Sequence, residues 1–368
     1  MKFLYILLAI LVFEALVIVH ELGHYICARI FKVKIFEFAI GMGPRLAWFR
    51  SKKTGIIYAL RAFPFGGFVS MAGELADEGA DDLPPEAKER FPGDEELGPL
   101  VSKPAWQRLI VHAAGAVMNL ISGFLIVILM TCSLPVDRLG STTIAEFTPP
   151  VEGVVSTESQ GLQVGDTVIQ VGNKKVHIAD QLSYEISHQG GGEEALTLVV
   201  IRDGKEMPID IHFPVRQMSG QLFGAADFMV YRVDEKDFGT VVEQAFYKSC
   251  LNVKMVWDSL IDLISGRYTM EAVSGPIGTA GVITDAAASG NSEYLFSLIA
   301  LITINLGIFN LLPVPALDGS HIIYTLVEMI SKKKPPAKLV TILDAIGLFA
   351  LLGLMVLITF KDIATFFG

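Results

Sequence analysis

His20-Glu21-Leu22-Gly23-His24 is the stretch of this sequence best equipped for chemistry. On a helix its two imidazoles stand one turn apart on one face with a carboxylate beside them, which is half of a hydrolytic zinc site. Apolar residues run from Phe3 to Val19 and resume through Tyr25, Ile26, Cys27 and Ile30, so the motif lies inside a hydrophobic segment. Ionisable side chains in a membrane span are costly and mark function. A zinc hydrolase site at that depth points to proteolysis within the bilayer.

Two imidazoles leave a catalytic zinc short of a third protein ligand and an open position for water. The other polar constellation inside an apolar stretch is Asn310-Leu311-Leu312-Pro313-Val314-Pro315-Ala316-Leu317-Asp318-Gly319-Ser320-His321. Pro313 and Pro315 must break the helix there, and irregular backbone at membrane depth is tolerated only where it lines protein or a water-filled cavity. Asp318 sits where the broken segment turns back into helix. Taken alone, it reads best as an N-cap for a helix starting near Gly319.

The elements that must position these groups follow from composition and charge. The chain has 368 residues, 52% hydrophobic and 18% charged, too apolar for an ordinary soluble enzyme. Four apolar segments, at 3–30, 107–134, 294–312 and 340–360, can each cross a hydrocarbon core, which takes roughly 20 helical residues. Lys2 before an apolar run resembles a secretory signal, but no small-x-small cleavage site precedes the histidines, so a retained span is expected. Basic residues follow the first span (Arg29, Lys32, Lys34, Arg45, Arg50) and the third (Lys332, Lys333, Lys334, Lys338), which predicts that both segments are cytoplasmic. Both termini and the segment between spans two and three then lie outside. The net charge of −10 argues against a nucleic-acid partner. Cys27, Cys132 and Cys250 form no C-x-x-C and read as buried small apolar residues.

Residues 35–73 read as strand and turn, with a hairpin around Ser51-Lys52-Lys53-Thr54-Gly55. They predict a small sheet just inside the membrane. Residues 74–98, rich in Asp, Glu, Pro and Gly, read as a solvated loop. Residues 150–214 read as a compact soluble module, and Gly161-Leu162-Gln163-Val164-Gly165-Asp166-Thr167-Val168 resembles a PDZ domain, which captures peptides by strand addition. The loop from Val155 to Gly161 is shorter than in such domains, so peptide capture and a spacer or lid role both stay open. Residues 238–266 carry apolar residues at helical spacing, suited to the outer membrane surface or to packing on the bundle.

His20 to His24, Asn310 to Gly319 and the PDZ-like run between them together resemble the site-2 protease family of intramembrane zinc metalloproteases. Gly41-Met42-Gly43-Pro44, Pro64-Phe65-Gly66-Gly67-Phe68, Ala114-Gly115 with Asn119, and Ser274-Gly275-Pro276-Ile277-Gly278 extend the resemblance over nearly the whole chain. It is strongest to the bacterial single-PDZ branch that cleaves anti-sigma factors and signal-peptide remnants. The resemblance implies that His20, His24 and Asp318 bind Zn2+, that Glu21 is the general base, and that Asn310, with Pro313 beside it, contacts the substrate backbone. It also implies a bacterial cytoplasmic membrane, single-span membrane proteins as substrates, and regulated intramembrane proteolysis with an upstream site-1-type protease.

The expected fold is an α-helical polytopic membrane protein of four transmembrane helices, with a small cytoplasmic membrane-associated β-sheet and one extracytoplasmic PDZ domain. Its parts are 1–135 (spans one and two with the β-loop), 150–214 (the PDZ domain), 215–290 (strands and a membrane-surface helix) and 291–368 (spans three and four). Ala116 stands where relatives commonly carry proline. Glu14, seven residues before Glu21, points to nearly the same helix face. It suits either a polar path toward zinc or a neutral buried carboxyl. Asn119 and Asn305 read as helix–helix hydrogen bonds, His321 as a support for the ligands, and His112 as interfacial. A catalytically dead adaptor is disfavoured by the intact motif residues, and a metal transporter by the missing inverted repeat.

Overall fold

A computed structural model of the chain describes residues 2–73, 96–136, 139–149, 155–192, 194–218, 221–233, 236–267 and 273–367. Most of the acidic 74–98 segment therefore lies outside the described residues. The chain divides into two compact units, Met1–Leu125 with Ser265–Gly368, and Ile126–Ile264.

The first unit opens with α1 (Lys2–Ile30), whose apolar sequence carries the His20 motif in its last third. The hairpin β1 (Ile35–Arg50) and β2 (Ile57–Met71) follows. Its turn closes through Ser51 N–H to Ile56 O at 3.0 Å and Gly55 N–H to Ser51 O at 2.9 Å. The strands bend, so Ile35–Ile40 pairs with Gly67–Met71 while Glu37–Ile40 also lies beside Ile57–Leu60. Gly67–Met71 is thereby left as an outer segment of the sheet. Glu37, only 5% exposed, accepts from Arg45 (2.6 Å) and from Arg61 (2.7 and 3.0 Å), and Arg61 also donates to the Gly43 carbonyl at 2.6 Å. A buried carboxylate so fully paired offsets its desolvation and clamps the bend. Tyr25 and Tyr58 share a 2.7 Å hydrogen bond that ties the hairpin to α1.

Next come α2 (Ala105–Ser133) and, after the second unit, α5 (Pro276–Ala288), α6 (Ser292–Leu311), α7 (Asp318–Ser331) and α8 (Ala337–Phe367). Four helices, Leu4–Ile30, Ala105–Ser133, Ser292–Leu311 and Ala337–Ala364, are long and apolar enough to cross a membrane, close to the segments expected. On α8, Phe349, Leu357 and Phe360 are 67–73% exposed, a face suited to lipid and not to water. The structure adds one helix that was not anticipated, α5, and gives the helix expected after the proline break as α7. The 13-residue α5 is too short to span and packs on α1. In the break, Val314 N–H bonds to Leu312 O at 2.7 Å and Ala316 adopts φ +72°, so the freed backbone turns back on itself.

The second unit holds β3 (Gly140–Phe147), β4 (Thr167–Val171), β5 (Lys174–Lys175), α3 (Ala179–Gln189), β6 (Leu196–Arg202), β7 (Lys205–Ile211), β8 (Val215–Met218), β9 (Gln221–Gly224), β10 (Phe228–Arg232) and α4 (Phe238–Ile264). The main sheet runs β10-β3-β4-β6-β7 with β5 beside β4, so β3 and β10 join it from outside residues 150–214. Ile144, Leu162, Val168, Ile186, Leu198 and Ile211 form its core. Asp166 is nearly inaccessible and takes both ends of Arg202 (2.6 and 2.7 Å), fixing the Gly161–Asp166 turn to β6. The helix α4 packs on α3 within this unit, through Lys254 to Glu185 at 3.1 Å, Tyr184 to Asp258 at 2.9 Å and Lys248 to Asp180 at 3.0 Å. These charged contacts decide a partner that apolar spacing alone leaves open.

Candidate metal centre

The site grows from three helices of the first unit. Spacing on α1 puts His20 and His24 on one face, each 7% exposed. The proline break delivers Asp318 as the first residue of α7, where its carboxylate turns to the histidines instead of capping the helix. Asp318 Oδ2 lies 3.0 Å from His20 Nε2 and 3.2 Å from His24 Nε2, and the two Nε2 atoms are 3.2 Å apart. Those separations match the edges, about 3.3 Å, of a tetrahedron whose centre is about 2.0–2.1 Å from each ligand.

Hydrogen positions sharpen the fit. His24 donates its Nδ1–H to the Val111 carbonyl at 2.8 Å, which leaves Nε2 as a bare lone pair aimed at the cluster. Asn119 of α2, buried completely, has Nδ2 3.4 Å from His20 Nδ1, while its Oδ1 has no partner. A half-turn of the amide exchanges the two atoms, lets Oδ1 accept the His20 Nδ1–H and frees Nε2. Asp318 Oδ2 is also without hydrogen-bond geometry despite its short distances. With both imidazoles neutral in these tautomers, three acceptors converge with no proton between them, an arrangement costly unless a cation sits at their centre. Two imidazoles and a carboxylate are a donor set that zinc accepts.

Small residues make the room. A Cβ on Gly115 would fall 2.3 Å from His24 Nε2 and 2.7 Å from His20 Nε2, so only glycine lets α2 pass the ligand nitrogens. A Cβ on Gly23 would fall 2.3 Å from the Ala114 carbonyl oxygen, which fixes the approach of α1 to α2. Glu21 stands beside the cluster, within electrostatic reach of His20, His24 and Asp318, and faces the backbone amide of Val69 on β2.

Among the described residues, His20, His24 and Asp318 are the group able to share one metal ion. Asn310, half-buried on the last turn of α6, and Pro313, exposed in the break, supply no ligand atom to it. His321 is 3.6 Å from Asp344 and stacks on His112 with ring centres 5.1 Å apart. His112 therefore packs against the start of α7, beside the carbonyl that holds His24, where an interfacial position was expected. Both rings line a cavity of about 340 Å³ with Arg108, Tyr324, Glu328 and Lys334. The sequence offered Ala114-Gly115 as a match without a role and Asn119 as a helix–helix hydrogen bond; the structure directs that bond to His20 and shows the work of Gly115 once α2 is laid against α1.

His20, His24 and Glu21 on a helix apolar enough to cross a membrane, with Asp318 brought to them from the start of α7, define a membrane zinc metalloprotease. The comparisons with known proteins agree. The model of peptidase family M50 matches residues 8–354, and the chain belongs to that family. A protein of Clostridium acetobutylicum that carries a zinc metalloprotease name is 32% identical over 99% of this chain and 98% of its own length. The zinc metalloprotease RasP of Geobacillus kaustophilus is 29% identical over 97% of both chains. The regulator of sigma-W protease RasP of Bacillus subtilis is 26% identical over 97% of this chain and 98% of its own.

Proposed function

We propose that this protein hydrolyses a peptide bond within or beside the transmembrane segment of single-span membrane proteins, anti-sigma factors or signal-peptide remnants, in a bacterial cytoplasmic membrane. The observation that carries the reading is the convergence of Asp318 with His20 and His24, the two histidines lying on a helix apolar enough to span a bilayer. Zinc bound there supplies a Lewis acid that activates water near neutral pH. Glu21 takes the proton of the attacking water and returns it to the leaving amine. Asn310 and the exposed Pro313 border the broken segment, where irregular backbone is available to engage an unwound substrate. The outer segment Gly67–Met71 receives the extended substrate by strand addition, since Val69 already turns an amide toward Glu21. The second unit acts outside the membrane as a PDZ-type module that admits substrates trimmed by an earlier cut.

The test is cleavage of a trimmed single-span substrate in vesicles by the full chain, with zinc content measured in parallel. Glu21→Gln is expected to keep zinc and lose about 10²–10⁴-fold in kcat. Equal cleavage by the variant would refute the mechanism, and zinc uptake without cleavage by the wild type would refute the function.

A further inference from the structure

Glu14 is 7% exposed in the middle of α1, and among the described residues neither carboxyl oxygen has a hydrogen-bond partner. An orphaned carboxyl in an apolar span is expensive and calls for a function. The backbone amides of Gly41 and Gly66 face it without closing a bond. Both glycines hold left-handed conformations, φ +80° and +93°, which turn the hairpin backbone at this point.

The spacing along α1 and β2 is commensurate. Val17 and Glu21 lie against Gly67, with side-chain atoms 3.6 and 3.4 Å from where its Cβ would stand. Glu21 faces Val69, and Glu14 faces Gly66. Seven residues of helix rise about 10.5 Å, and three residues of strand advance about 10 Å. The two carboxyls therefore address one strand at a three-residue step. Beyond Glu14, Phe13 and Pro64 share the wall of an apolar cavity of about 360 Å³ with Ile283, Leu354 and Met355.

We propose that Glu14 is a specificity residue of the same protease site, accepting a hydrogen bond from a donor side chain (hydroxyl, carboxamide or ammonium) at the third substrate residue from the scissile bond. This rests on the intramembrane protease reading above. A substrate strand paired with Gly67–Met71 and cut at Glu21 reaches Glu14 after three residues. A larger apolar side chain then follows into the cavity. The donor gives the buried carboxyl its missing partner, and an analogue without it leaves the acceptor unpaired, the situation in which sites discriminate most strongly.

The experiment uses the full chain in phosphatidylethanolamine–phosphatidylglycerol vesicles with single-span substrates of known scissile bond. The third residue on each side is varied among Ser, Asn, Lys, Ala and Leu. On one side, wild type is expected to favour donors over Ala by about tenfold or more in kcat/KM. Glu14→Leu should bring that ratio within twofold of unity, and Glu14→Gln, which keeps a carbonyl acceptor, should retain it for Ser and Asn. An unchanged ratio in Glu14→Leu overturns the proposal. So does a variant that loses all substrates equally and is restored equally by Glu14→Gln, the mark of a structural role. Absence of cleavage by wild type defeats the protease reading itself. Cleavage that needs Glu21 but ignores Glu14 defeats this inference alone.

Discussion

Gly115→Ala is the smallest perturbation that reaches the metal centre without removing a ligand. Its new methyl would sit 2.3 Å from His24 Nε2 and 2.7 Å from His20 Nε2, where ordinary contact begins at 3.4 Å. The His24 ring would have to retreat by about 1.1 Å, yet a metal–ligand distance tolerates only about 0.2 Å. It cannot retreat freely, because Nδ1 is held to the Val111 carbonyl at 2.8 Å. Helix propensity works the other way, since Ala for Gly in a helix gains about 0.5–1 kcal/mol. Overpacking costs about 1–3 kcal/mol and falls on the ligand rings. The expected result is a helical protein whose zinc affinity drops by about two orders of magnitude or more. The assay is zinc occupancy in a series of buffered free-zinc concentrations, with far-ultraviolet circular dichroism as the check on folding. Gly353→Ala, where the added methyl meets nothing within 4 Å, is the control and should bind zinc as wild type does. Zinc affinity for Gly115→Ala within twofold of the control would refute the packing argument.

Two further contacts, one in each unit, have measurable consequences. Asn119→Leu removes the amide that orients His20 and should weaken zinc about 10–100-fold in the same titration, while Asn305→Leu, at a residue outside the ligand group, should not. In the second unit, burial alone would raise the Asp258 carboxyl, but hydrogen bonds from Lys254 and Tyr184 outweigh it and hold it below the usual aspartate range, with His188 adding to the effect. A depressed carboxyl stabilises at pH above its unfolded value, about 3.9, and loses that contribution as pH falls through the folded one. Amide-exchange protection of α4 in the full chain should therefore be level from pH 7 to 5 and fall below about pH 3.9. Asp258→Asn should lower it at neutral pH and flatten the acid limb, and protection in wild type that stays constant down to pH 3 would contradict this.

What was legible in the sequence was whatever local spacing encodes. Four residues of helix separate His20 from His24 wherever the helix lies, and Pro313 and Pro315 must break α6 whatever surrounds it. The four apolar helices and the Ser51–Gly55 turn are local in the same sense. Asp318 shows the boundary, because its position next to Gly319, taken alone, favours an N-cap over a ligand. Only the Nε2 atoms of another helix decide between them. Gly115 was beyond that boundary, since the space it keeps open belongs to two helices far apart in the chain. The same holds for β3 and β10, which enter the main sheet from outside residues 150–214 because their partners are remote, and for α4, whose apolar spacing defined a face but not what the face meets.

The unequal treatment of buried acids separates structure from chemistry in the first unit. Glu37 is buried and saturated, with both oxygens taken by Arg45 and Arg61, so nothing is left over and its work is to hold the hairpin bend. Asp362 is buried on α8 and spends one oxygen on the amides of Gly275 and Gly278, at 3.0 and 2.8 Å, where α5 begins. Asp318 and Glu14 are left with oxygens that close no hydrogen bond among the described residues. An unsatisfied buried acceptor costs about 1–3 kcal/mol, and a fold that satisfies Glu37 with two arginines has the means to satisfy the others. That it does so for the bend and the α5 start, and not for Asp318 and Glu14, marks those two as groups whose partners come from outside the chain. For Asp318 the geometry of two bare imidazoles makes that partner a cation. For Glu14, beside amides and not imidazoles, it makes the partner a donor carried by the substrate.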